Sequence, residues 1–190
     1  MSKSTVLTLV GSLRAESTNQ KLAEAIALNA PENVEVLIHE TLGNIPFYNE
    51  DIDVEGQVPA AAAALRAAAN DADTLLLVTP EHNGTVPASL KNAIDWLSRP
   101  YGAGALSGKP TAVVGTAFGQ FGGVWAQDEA RKAVGIAGAT VLDDVKLAVP
   151  GSMVRFAELH PKDDAEVVEQ IKGVFDALAQ ARTAAAQPAA

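Results

Sequence analysis

The stretch TLLLVTPEHNGTVPASLKNAIDWLSRP, residues 74–100, decides the fold. It opens on an unbroken apolar run over 74–79, the pattern of a strand covered on both faces. Pro80 ends that run, because it has no N–H to give to a sheet ladder. Asn83-Gly84 is a turn signal, and Pro87 suits the first turn of a helix. Leu90, Ile94 and Leu97 then recur at helical spacing over 87–98. Strand, polar hexapeptide and helix together make one βα unit of a parallel sheet.

The same unit repeats on either side. Runs at 5–10 (TVLTLV), 34–39 (VEVLIH) and 111–116 (TAVVGT) also read as strands buried on both faces, with a weaker fifth candidate at 140–142. Helical patterns fill 19–29, 59–70, 122–137 and 163–182. This alternation predicts an α/β fold: a doubly wound, five-stranded parallel sheet of order 2-1-3-4-5, flavodoxin-like, with ligands expected outside the C-terminal ends of strands 1 and 3. One domain is expected over 1–183, with the low-complexity end 184–190 as a disordered tail. The connection over 40–58 is long for a compact domain, and loops of that length are often functional.

A chain of 190 residues buries a substantial core without cross-links, and it has no cysteine, which excludes disulfides, thiolate nucleophiles and Cys-ligated metal centres. A net charge of -9 with scattered Lys and Arg argues against a nucleic-acid partner, though a local pocket can still attract a small anion. The run at 5–10 is too short for a signal-peptide core, and no run reaches the length of a membrane span, so a cytoplasmic protein with no membrane partner is expected. His39 and His160 have no second ligand at metal spacing. There is no Gly-x-Ser-x-Gly elbow and no His-Glu-x-x-His, and neither a catalytic dyad nor a metal site is expected.

Three loops meet the predicted C-terminal edge. After strand 1 comes GSLRAESTNQ, 11–20, in which hydroxyls, an amide and one Arg lead into a helix start. Helix N-terminal amides carry partial positive charge and suit a phosphate, and Arg14 adds a two-pronged donor. The same residues also fit a plain helix cap at Ser17 or Thr18 with Arg14 in solvent. The loop has neither the glycines and Lys of a P-loop nor the three glycines of the dinucleotide fingerprint. After strand 3 come Pro80, Glu81, His82 and Asn83, polar groups suited to the edge of a flat heteroaromatic ring. After strand 4 comes GTAFGQFGG, 115–123, whose glycines permit close backbone approach or simply a turn. Trp96 reads as packing or a subunit contact, Lys91 and Asp95 as a surface ion pair, and Glu129 and Arg131 as solvated charges.

With GSLRAESTN, IPFYNEDID at 45–53, PEHNGTVPASLKNAIDWLSRP and GQFGG in this order and spacing, the chain resembles the NADPH-dependent FMN reductase family. That resemblance implies an FMN cofactor, NADPH or NADH as electron donor, and a small-molecule acceptor such as a quinone, azo dye, metal oxyanion or free flavin. It implies that Ser12, Arg14, Ser17 and Asn19 surround the FMN phosphate. It places Pro80, Glu81, His82 and Asn83 along the isoalloxazine, and Thr116 with the backbone near Gly119 on the other side. It also implies a homodimer or homotetramer. The sequence departs from the family's pattern at His82, Ala117 and Val124-Trp125, all on the substrate face. A flavodoxin-type electron carrier is the alternative, and Arg14 speaks against it. A non-catalytic flavin-binding module is a further one.

Overall fold

The computed structural model describes residues 3–40 and 42–185. Strands β1 (Ser4–Val10), β2 (Val34–His39), β3 (Thr74–Val78), β4 (Pro110–Thr116), β5 (Thr140–Val141) and β6 (Ala148–Val149) alternate with helices. The helices are α1 (Thr18–Leu28), α2 (Ala60–Asp71), α3 (Ala88–Leu97), α4 (Val124–Ile136), the single turn α5 (Ser152–Arg155) and α6 (Ala165–Ala185). The sheet is parallel in the order β2-β1-β3-β4-β5, with β6 also on β4. Leu7 lies between Leu37 and Leu75 in the register, and Leu77 opposite Val113. This is the expected flavodoxin-like order. α6 ends two residues beyond the predicted domain limit of 183, and the rest of the predicted tail, 186–190, lies outside the described residues.

Successive strand residues face opposite sides of the sheet, so an all-apolar strand needs helices on both. Leu7, Leu9, Leu75, Leu77 and Val113 pack under α2, α3 and α4 against Leu65, Leu90 and Trp96. Val6, Val10, Leu76, Val78 and Val114 pack under α1 and α6 against Leu22, Ile26, Ile171 and Phe175. Each such side chain, fully buried, contributes about 1.5–3 kcal/mol of transfer free energy.

Three expectations change. β2 is an edge strand covered on one side only: Glu35 is exposed and Leu37 is 44% exposed. Its apolar run is not a two-sided burial pattern, because no helix of the described residues covers its outer face. The fifth sheet position is filled in two pieces, β5 beside Pro110 and Thr111 and β6 beside Gly115 and Thr116. Arg131 closes the break between them. Buried to 6% exposure, its guanidinium donates to Val113 O at 2.8 Å and Val145 O at 2.9 Å. It thus satisfies a β4 carbonyl where the neighbouring strand has left the ladder. It is therefore a structural donor and not a solvated charge.

Candidate functional site

The crevice at the C-terminal edge is built from the loops after β1, β3 and β4. Gly11 sets the first of them, its N–H donating to Val78 O at 2.9 Å. A Cβ at Gly11 would come within 2.8 Å of Pro87 Cγ and 3.2 Å of Pro80 Cδ, so only glycine lets this loop lie against the next. Beyond it the backbone donors have no protein partner. Among the described residues, no protein oxygen meets hydrogen-bond geometry with the N–H groups of Ser12 to Glu16, or with those of Thr18 and Asn19 in the first turn of α1. Ser12 and Thr18 are half-buried and Arg14 is exposed. Ser17 is the N-cap of α1, its hydroxyl oxygen accepting from the Gln20 N–H at 3.2 Å, which leaves the hydroxyl proton for another acceptor.

Asn19 is buried and turned inward. Its side-chain Nδ2 donates to Thr116 O at 2.8 Å while its Oδ1 accepts from the Thr116 N–H at 3.0 Å. Thr116 in turn donates its hydroxyl to Val149 O at 2.8 Å. Both side chains are occupied by the protein. They hold the start of α1, the end of β4 and the start of the last loop in one frame, and so position the crevice rather than line it.

The second loop is a two-residue hairpin. His82 and Thr85 exchange N–H···O bonds of 3.1 Å, and Asn83 and Gly84 between them have φ of 55° and 75°. Positive φ at both central positions makes this a type I′ turn, the geometry Asn-Gly favours. The His82 N–H is therefore taken, whereas among the described residues no protein oxygen accepts from the N–H groups of Glu81, Asn83 and Gly84. Pro80 is buried as the wall of the loop, and His82 and Asn83 are exposed. Glu81 points away from the rim: its carboxylate accepts from the Ala126 N–H at 3.1 Å, capping α4 and opposing its dipole. Glu129, two turns into α4, reaches back to accept from the Thr85 hydroxyl and from the Val86 N–H at 2.8 Å. The Thr85 hydrogen bond, followed by that of Val86, holds its carboxyl below the ordinary range. Glu129 is thus a brace on the hairpin and not a free surface charge.

In the third loop Gly119 is exposed, with open space where a Cβ would stand. Gly122 is a different case: at φ 63°, a Cβ there would meet the Ala148 carbonyl at 2.6 Å. The structure thus carries Ser12, Arg14, Ser17 and Thr18 on the loop after β1 and the start of α1, Pro80, Glu81, His82 and Asn83 on the loop after β3, and Gly119 on the loop after β4, with Asn19 and Thr116 tying the first to the last. A cavity of about 400 Å³ borders the first loop on its β2 side, where Ser12, Arg14 and Gln20 face His39 and Asn44. Burial lowers the pKa of His39, favouring its neutral form. A larger groove of about 790 Å³ runs between α3 and α4, past Lys91, Arg99, Lys132 and Ile136. It lies off the strand ends, where a sheet of this order is expected to bind its ligands.

FMN requires a phosphate cradle and an edge of donors for a flat ring. The unpartnered amides at the dipole of α1, with Arg14 beside them, fit the first. The free N–H groups of the hairpin fit the second. Among the described residues, no cluster of three or more His, Cys, Asp or Glu is arranged to hold a metal.

Residues 4–153 match the family model described as NADPH-dependent FMN reductase. The chain is similar to a quinone reductase of Pseudomonas putida, 47% identical over 129 residues that make up 68% of each chain. It is 42% identical over 126 residues to a 2-hydroxy-1,4-benzoquinone reductase of a Burkholderia species, spanning 66% of this chain and 67% of that one. Its fold superimposes on FerB, a flavoenzyme NAD(P)H:(acceptor) oxidoreductase from Paracoccus denitrificans. The TM-score is 0.84 at 30% identity, over 95% of this chain and 98% of the other.

Proposed function

The chain belongs to the NADPH-dependent FMN reductase family and is an FMN-dependent NAD(P)H oxidoreductase, and from that premise we propose which residues hold the cofactor and which acceptor it serves. The observation that carries the reading is the run of unpartnered backbone donors from Ser12 to Asn19 at the start of α1. Ser12, Ser17, Thr18 and Arg14 hold the FMN phosphate. Pro80 and the N–H groups of Glu81, Asn83 and Gly84 hold the ring edge, with His82 at the rim and Gly119 opposite.

When bound, FMN supplies the redox chemistry, accepting a hydride equivalent from NAD(P)H and returning electrons to an acceptor. The protein's part is position and electrostatics. Asn19 keeps the two loops in register by bonding both polar groups of the Thr116 backbone. Glu81 and Glu129 fix α4 and the hairpin to each other, so that the ring edge meets donors already in place. No side-chain acid, base or nucleophile is required for this chemistry.

The acceptor is a quinone, in keeping with the names of the relatives in Pseudomonas and Burkholderia. A cytoplasmic homo-oligomer fits the reading: no helix among the described residues is long and apolar enough to cross a membrane, and Tyr101 and Ile136 stand 92% and 77% exposed along the α3–α4 groove. The test is spectroscopic. Purified protein should carry about one FMN per chain, and NADPH should bleach it within seconds in the absence of air. Bound FMN that stays oxidised for minutes with either nucleotide would point to an electron carrier instead.

A further inference from the structure

Three aromatic side chains of the third loop and the start of α4 stand in solvent: Phe118 at 73% exposure, Phe121 at 54% and Trp125 at 56%. Two of them are paired. The rings of Phe121 and Trp125 have centroids 5.6 Å apart at an interplanar angle of 53°, an open wedge rather than a stack. Trp125 lies beside the ring-edge hairpin: a Cβ on Gly84 would stand 3.8 Å from its Cε3. The next residue, Ala126, is held by the Glu81 carboxylate. The chain's other tryptophan is the reverse case: Trp96 is fully buried and donates its indole N–H to Pro46 O at 2.8 Å. Among the described residues, nothing accepts the indole N–H of Trp125.

Resting on the proposed function, we infer that Phe121 and Trp125 form the acceptor-selecting shelf of the crevice, taking flat aromatic acceptors of the quinone class. A ring entering the crevice beside the hairpin covers apolar area that is otherwise wet, stacks on the indole, and offers a carbonyl to its free N–H. The shelf carries no charge, so a small anionic acceptor gains nothing from it. Phe121 and Trp125 act on acceptor affinity and leave the cofactor to the backbone donors of the first loop and of the hairpin.

The test compares menadione with ferricyanide as acceptors for the holoenzyme. Trp125→Ala should raise the KM for menadione about tenfold, the loss of one stacking contact and one hydrogen bond, and leave kcat, FMN retention and the KM for ferricyanide within about twofold. Phe121→Ala should shift the menadione KM in the same direction by a smaller factor. Without nicotinamide, menadione should quench the tryptophan emission saturably in wild type and not in Trp125→Ala. An unchanged menadione KM, an equal rise for both acceptors, or emission from Trp125 that iodide cannot reach because a second copy covers it would each overturn the inference. Wild-type protein that binds no FMN would instead defeat the cofactor reading, and the menadione quench on that flavin-free protein would still decide the shelf.

Discussion

Two loops of similar prominence have opposite economies of hydrogen bonding. The connection over 42–58 is long, and length alone makes it a candidate for function. Yet it is tied down by the protein itself. Tyr48 donates its N–H to Asn92 Oδ1 at 2.8 Å, and Pro46 O accepts from both Asn92 and Trp96. Asp53 takes both prongs of Arg66 at 2.6 and 2.7 Å, while Arg66 Nε donates to Trp96 O and its guanidinium lies 5.1 Å from the Trp96 ring centre. The short loop after β1 is tied at Gly11, but from Ser12 to Glu16 no backbone N–H finds a protein acceptor among the described residues. Unsatisfied donors beside a helix dipole, rather than loop length, mark the place where a ligand completes the fold.

Breaking the closed loop should cost stability and spare the cofactor. Arg66→Ala leaves the nearly buried Asp53 carboxylate without its partner and should lower unfolding free energy by about 3 kcal/mol, with FMN affinity unchanged. The Arg66 hydrogen bond holds the Asp53 carboxyl below its usual range, as Arg155 does for Asp164. For a carboxyl whose folded pKa is depressed, the stabilisation is present above the unfolded value of about 3.9 and is lost as pH falls through the folded value. Wild type should therefore keep this contribution at pH 5 and lose it only in strong acid. Arg66→Ala should show a weaker dependence on pH in that window, measured by urea unfolding across pH 2–5 or so.

Breaking the open loop should do the converse. Arg14→Ala removes an exposed side chain that forms no hydrogen bond or ion pair among the described residues, so its melting temperature without FMN should hardly move. Its FMN affinity should fall by about 2 kcal/mol, roughly thirtyfold, the worth of a charged hydrogen bond to an anion. Equal losses of stability in the two variants would erase the contrast. The smallest effect belongs to Lys91→Ala. Lys91 pairs with Asp95 at 2.6 Å on the surface of α3, and its loss should cost a few tenths of a kcal/mol, about 0.3, and leave FMN binding alone.

Much of this was legible in the residues themselves. Four of the strands were legible as apolar runs, and the turn after β3 as Asn83-Gly84, because in each case the signal and its cause lie in one short stretch; the order 2-1-3-4-5 came from the alternation of strands and helices as a whole. What stayed hidden depends on distant partners. Asn19 reads as a phosphate ligand until Thr116, 97 positions away, occupies its amide. Glu81 reads as part of the rim until the N-terminus of α4, 45 positions on, takes its carboxylate. Arg131 and Glu129 look like surface charges on a helical pattern until the break in the fifth strand and the hairpin claim them. The two-residue strand at Ala148–Val149 is too short for any periodicity to reveal.

The central claim is that the donors from Ser12 to Asn19 recognise a phosphate, and the most direct measurement sets FMN against riboflavin on flavin-free protein by calorimetry. The two ligands share the ring and differ only in the phosphate. Several charge-assisted hydrogen bonds should make FMN at least about a hundredfold tighter, with the advantage shrinking in Arg14→Ala. Equal affinities for FMN and riboflavin would contradict the account.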